Sequence, residues 1–167
     1  MKHLIIQFMA ITLGSIALSS CSSMEDVAIQ NPYISNLGNT GCLSHLDTDN
    51  AESRSEVNKG SFEMLFEEQV AKCKFTSLDY PCDYEQVNVK ITYNNGTMTI
   101  IEYPSSDTAD CRCEIDASFT IENIPQNGFI LKIYHGDTQG NYNIFNPKYE
   151  GRINQTDCKI LIPYQSI

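Results

Sequence analysis

Val87-Asn-Val-Lys-Ile-Thr-Tyr-Asn-Asn-Gly-Thr-Met-Thr-Ile-Ile-Glu-Tyr103 decides the fold class of this chain. Val87, Val89, Ile91 and Tyr93 alternate with Asn88, Lys90 and Thr92. Successive strand side chains point to opposite faces, so this period of two predicts a half-buried strand. Asn94-Asn95-Gly96-Thr97 interrupts the pattern. Asn-Gly favours a tight hairpin turn, because both central residues must take positive φ. Met98 to Tyr103 then reads as the returning strand.

The same period recurs outward from this hairpin. Ile115, Ala117, Phe119 and Ile121 alternate with Asp116, Ser118, Thr120 and Glu122. Asn123-Ile-Pro-Gln-Asn-Gly128 punctuates, and Phe129, Leu131 and Ile133 begin another strand. Phe62–Val70 and Lys72–Leu78 supply two more, although Glu63–Ala71 also fits a short helix. Tyr142–Phe145 and Lys159–Ile162 are shorter candidates. Several short strands joined by turns predict an all-β domain. The expected form is an antiparallel β-sandwich of the Ig-like or transthyretin-like kind.

The N-terminus reads differently. Met1-Lys2 leads into an apolar stretch, Leu4 to Leu18, closed by Leu18-Ser19-Ser20-Cys21. A charged start, a short apolar core and small residues before a cut site make an export signal. The core is 15 residues, broken by Gln7, Thr12, Gly14 and Ser15, whereas a membrane-spanning helix needs about 20. The closing residues resemble the bacterial lipobox, which implies lipidation of Cys21 and anchoring through several acyl chains. The expected organisation is a signal peptide over 1–20, a lipidated N-terminus and tether over 21–60, and a β-sandwich over 61–167. The tether reading rests on Ser-, Asn- and Gly-rich sequence such as Asn36-Leu-Gly-Asn-Thr-Gly41, which shows no period. Glu25-Asp26, close behind Cys21, resembles the acidic surface-export signal of Bacteroidetes lipoproteins. The expected location is the outer membrane, periplasmic or surface-exposed, with a slight lean outward.

Cleavage after Ser20 leaves 147 residues with ten Lys and Arg against 21 Asp and Glu, a charge of −11. Such an acidic chain disfavours nucleic acid and anionic membrane surfaces as partners. Six cysteines follow Cys21: Cys42, Cys73, Cys82, Cys111, Cys113 and Cys158. An even number in an exported chain predicts disulfides, with 15 possible connectivities. The competing metal reading starts from Cys111-Arg-Cys113, but there is no second close pair, and His45 and His135 lie far apart in sequence. Strand parity places Cys73 with Phe75, Cys111 and Cys113 with Ile115, and Cys158 with Ile160, all on core faces. Cys42 is the one residue of the tether able to staple it to the domain.

Tyr80-Pro-Cys-Asp83, Ile101-Glu-Tyr103, Ala109-Asp-Cys-Arg-Cys-Glu-Ile-Asp116 and Ile124-Pro-Gln-Asn-Gly-Phe129 together resemble small Bacteroidetes lipoproteins of unknown function. The resemblance spans roughly residues 72–134. It implies a β-sandwich and a bond from Cys82 to Cys111 or Cys113, and it carries no catalytic assignment. The absence of Trp weakens any transfer of a sugar-binding surface.

Catalytic signatures are missing: there is no Gly-x-Ser-x-Gly, no His-Glu-x-x-His and no phosphate-cradling glycine loop. Asp79, Asp83 and Glu85 surround Cys82, and Asp107, Asp110, Glu114 and Asp116 flank the Cys-x-Cys. Two such clusters could meet as a calcium site or carboxylate pair, but they read more simply as polar strand ends. His135-Gly-Asp137 with Cys113 suggests a nucleophile pair, against which core parity places Cys113 away from any cleft. Asp107-Thr108-Ala109 resembles a Bacteroidetes O-glycosylation sequon, marking Thr108 in a turn-rich loop. The expectation is a non-enzymatic, lipid-anchored binding or accessory module without cofactor or metal, whose partner is an envelope protein or glycan. The alternatives are a structural subunit of a surface assembly, or an envelope hydrolase or inhibitor using an acidic cluster.

Overall fold

The computed structural model describes residues 31–46, 60–154, 156 and 158–164. The expected signal peptide, Cys21 and Glu25-Asp26 lie outside the described residues. Two β-sheets face each other across one apolar core. The first contains β1 (Tyr33–Asn39), β2 (Ser44–Leu46), β3 (Gly60–Glu67), β4 (Val70–Pro81), β7 (Arg112–Glu122) and β10 (Lys159–Tyr164). Its order is β1-β7-β4-β3-β10, with β2 also on β7. The second contains β5 (Val87–Asn94), β6 (Thr97–Pro104), β8 (Phe129–His135) and β9 (Tyr149–Ile153), in the order β5-β6-β8-β9. This arrangement is consistent with a β-sandwich. The sheets are not wholly antiparallel, however: β6 and β8 run parallel, Thr97 opposite Ile130 through Glu102 opposite His135.

The β5–β6 hairpin turns where the Asn-Gly signal lies, with Asn95 at φ 48° and Gly96 at φ 75°. The turn between β3 and β4 lies at Glu68-Gln69, two residues before the expected break. No Gly or Pro marks it, because Glu68 itself adopts the left-handed conformation, φ 56°. In β4 the register slips between Phe75 and Leu78, and Ser77 has φ 54°. This bulge moves the buried parity from Ala71, Cys73 and Phe75 to Leu78 and Tyr80. Asp116 and Glu114 of β7 accept hydrogen bonds from the Ser77 amide and hydroxyl. The bulge thereby keeps Tyr80 facing the core at the far end of a 12-residue strand.

Packing fixes the centre. Phe62 and Phe75 are cross-strand partners with ring centroids 4.7 Å apart, and Phe119 joins them at 5.9 Å from Phe75. Met98, Ile100, Phe129, Leu131 and Ile133 of the second sheet close over them.

The strand assignments change at three places. Residues 33–46, read as tether, contain β1 and β2 on the edge of β7. Six of the seven β1 side chains are polar, glycine or solvent-facing, so the strand is held by its backbone ladder and carries no period. Tyr142–Phe145 is a turn, with Ile144 61% and Phe145 88% exposed. Tyr149–Ile153, unmarked in the sequence, forms the edge strand β9.

Of the six cysteines, four pair: Cys42 with Cys113, Cα atoms 5.3 Å apart, and Cys82 with Cys111, 5.5 Å apart. Cys73 and Cys158 are free thiols, contrary to the expectation of complete pairing. Cys73 is buried between Met64 and Phe119, its cross-strand neighbours, and burial pushes its thiol pKa up. Cys111 and Cys158 are exposed because each precedes the strand whose parity was extended to it.

Candidate functional site at the mouth of the sandwich

One end of the sandwich opens where β4, β6 and β8 finish and β7 begins. Glu102, on the core face of β6 behind Met98 and Ile100, is 0% exposed. Its Oε2 accepts a hydrogen bond from the Tyr80 hydroxyl of β4. Its Oε1 lies 2.7 Å from Nδ1 of His135, its register partner on β8. The His135 side chain is 32% exposed and lines a cleft of about 480 Å³. Pro81, Pro104, Asp107, Arg112, Asp137 and Tyr142 are among its other walls. A carboxylate is a pure acceptor, so the bonded Nδ1 carries the hydrogen and the ring orientation is set. Lys148 is half-buried nearby; burial pushes its pKa down while the Glu102 charge pulls it up.

The cleft walls are braced. Arg112 donates from Nε to Asp79 Oδ1 and from Nη2 to the Asp79 carbonyl, both at 2.8 Å, and from Nη1 to Asp107 at 3.4 Å. The Cys82–Cys111 disulfide joins the residues immediately outside Pro81 and Arg112. Asp83 holds the loop after β6, accepting from Ser106 Oγ at 2.6 Å and from the Thr108 amide and hydroxyl. The Ser106 and Thr108 hydroxyls, in that order, hold the Asp83 carboxyl well below the usual carboxylate range.

The loop after β8 forms the remaining wall. Asp137 accepts from the amides of Gln139 and Asn141, at 2.9 and 2.8 Å, and from Asn141 Nδ2 at 2.9 Å. The Asn141 side chain leads the contacts that lower the Asp137 pKa. Gly140, at φ 77°, lies where a Cβ would come within 3.2 Å of the Tyr103 ring. Gly136 has similarly little room, 3.1 Å from Ile101. These close approaches lay the loop over the outer face of the second sheet, where it buries Ile101 and Tyr134. Tyr142 stacks against Tyr134 with centroids 4.5 Å apart.

Asp79, Asp107, His135 and Asp137, each noted from sequence, therefore meet at this mouth. The acidic clusters do not merge into a cation site: Glu114 bonds Ser77, Asp116 pairs with Lys74, and Asp83 caps its loop. Among the described residues no three His, Cys, Asp or Glu side chains are grouped to hold a metal ion. Cys113 is consumed by its disulfide and is no nucleophile for His135. Thr108 is exposed, with its hydroxyl engaged by Asp83. Sequence reading missed Glu102, Tyr80, Arg112 and Tyr142. Glu102 had a legible signal, a carboxylate at the apolar parity of Met98 and Ile100. Compared with known proteins, the chain matches no family model, no curated protein and no solved structure.

Proposed function

We propose that this chain is a lipid-anchored binding or accessory module of the cell envelope, and that its partner is taken at the mouth of the sandwich. Its anchor is Cys21 in the outer membrane, behind an Ig-like or transthyretin-like sandwich of the type carried by small Bacteroidetes lipoproteins. The partner is an envelope protein or glycan, and Thr108 is a candidate glycan acceptor of the chain itself.

The observation that carries this reading is Glu102. Removing a carboxylate from water costs several kcal/mol even in a good hydrogen-bonding environment, and its position on β6 would accept an apolar residue. Here the buried group fixes a half-exposed histidine at a concave, cross-linked surface. A buried ionisable group orienting another in a cleft is a mark of a functional site. Bracing by a disulfide and by Asp83 lowers the ordering cost of binding. The hydrolase alternative gains little, since every carboxylate in the cleft wall already accepts donors from the protein. Strand addition is opposed at β10, where Pro163 removes an edge donor.

Crosslinking pull-down from intact cells, comparing the wild type with His135→Ala, tests this. The wild type is expected to capture a partner that the variant loses. Equal capture by a folded variant would overturn the assignment of the mouth.

A further inference from the structure

Resting on the mouth as the binding site, we infer that its ligand is a neutral, polyhydroxylated saccharide, and that His135 Nε2 accepts a hydrogen bond from one of its hydroxyls. The engagement of the charged groups within the protein carries the first half. Arg112, the guanidinium of the cleft, is already shared between Asp79 and Asp107. Asp137 holds three donors of its own loop. Both Glu102 oxygens are engaged. Arg112 is therefore not left free to select an anion. The surplus of carboxylates over cations also repels phosphate, sulfate and uronate groups.

Beside these charged groups stand neutral, directional ones. Among the described residues, Nε2 of His135, Nδ2 of Asn143 and the hydroxyl of Tyr142 have no hydrogen-bond partner in the protein. They offer an acceptor, a donor and a group able to do either. Hydroxyls, which both donate and accept, match that set. The rings of Pro81, Pro104 and Tyr142 supply apolar walls for the C–H faces of a sugar. The second half follows from Glu102. Because Nδ1 carries the hydrogen bonded to the carboxylate, Nε2 of the neutral ring is an acceptor. A ligand hydroxyl there donates into a site fixed before binding.

The test uses the full chain in detergent micelles. The probes are neutral hexose and N-acetylhexosamine oligosaccharides, and the same scaffolds bearing sulfate or uronic acid. Neutral probes are expected to bind, with charged versions weaker. His135→Asn places an amide donor where Nδ1 was, keeping the Glu102 bond while deleting Nε2. It is expected to melt within a few degrees of wild type and to bind neutral probes about 3- to 10-fold more weakly, the worth of one hydrogen bond. In ring ¹⁵N spectra, an unprotonated Nε2 resonance of His135 should move when the neutral probe is added. Unchanged affinity in a folded His135→Asn chain, or an unmoved Nε2 resonance in a bound complex, would overturn the role of His135. Failure of every neutral probe, with partner capture from cells still dependent on His135, would overturn the saccharide but leave the mouth as the site. Loss of that dependence as well would overturn both.

Discussion

Cutting the Cys42–Cys113 bond is the perturbation with the most readily worked magnitude. The bond closes a sequence separation of 71 residues, against 29 for Cys82–Cys111. On the chain-entropy model these loops correspond to roughly 4.4 and 3.6 kcal/mol of unfolded-state restriction. A domain of this size has a total stability of ~5–15 kcal/mol, so the longer bond is a large share of it. Cys42→Ala leaves Cys113 as a buried thiol, which packs as a small apolar group. The segment containing β1 and β2 keeps its ladder on β7, the Tyr84 hydroxyl bond to the Thr40 carbonyl and the Val87 amide bond to Asn39. The variant should therefore fold but melt on the order of 10–15 °C lower. Thermal unfolding followed by circular dichroism reads this directly. A shift under 3 °C, with Cys42 shown to be oxidised in the parent, would refute the reasoning.

Thiol mapping under non-reducing conditions should yield Cys42–Cys113 and Cys82–Cys111 peptides, with Cys158 alkylated in the native chain and Cys73 only after unfolding; a Cys73–Cys158 peptide would contradict this. Asp83→Asn should destabilise the chain at neutral pH. The native carboxylate pKa is depressed, so its contribution is present above the ordinary Asp range near pH 4 and is lost as pH falls through the lower folded value. The gap between parent and variant, read from melting curves, should thus close in strong acid; a gap that widens there would be inconsistent. Cys21→Ser should release the protein from the membrane fraction or leave its signal uncleaved, and normal processing with unchanged fractionation would remove the lipid anchor from the account.

Much of the fold was legible because burial writes itself into strands as alternation. The Val87–Tyr103 hairpin and the Ile115–Ile121 run face a core on one side, and their period follows. The edges were not legible. β1 and β9 are held by backbone hydrogen bonds while their side chains stay largely in water, so nothing constrains their residues to alternate. Parity also fails beyond strand ends, which is why Cys111 and Cys158 were placed inward and stand exposed. The bulge at Ser77 reverses parity within β4, a backbone event with no side-chain signature. Tyr142, Ile144 and Phe145 mimic a strand in composition, yet the loop turns two of them into solvent. The site was half legible. His135 and Asp137 stood out as residues, but their convergence with Glu102 and Arg112 depends on the parallel pairing of β6 with β8, a contact between distant segments.

The central claim is that the partner occupies the mouth of the sandwich. A photo-crosslinking amino acid placed at Tyr142, on the cleft wall, and at Lys90, exposed on β5, tests it in intact cells. The account predicts a discrete adduct from position 142 that is several-fold weaker in the His135→Asn background, and none from position 90. Adducts from position 90 alone, or the same adducts from both positions regardless of His135, would contradict it.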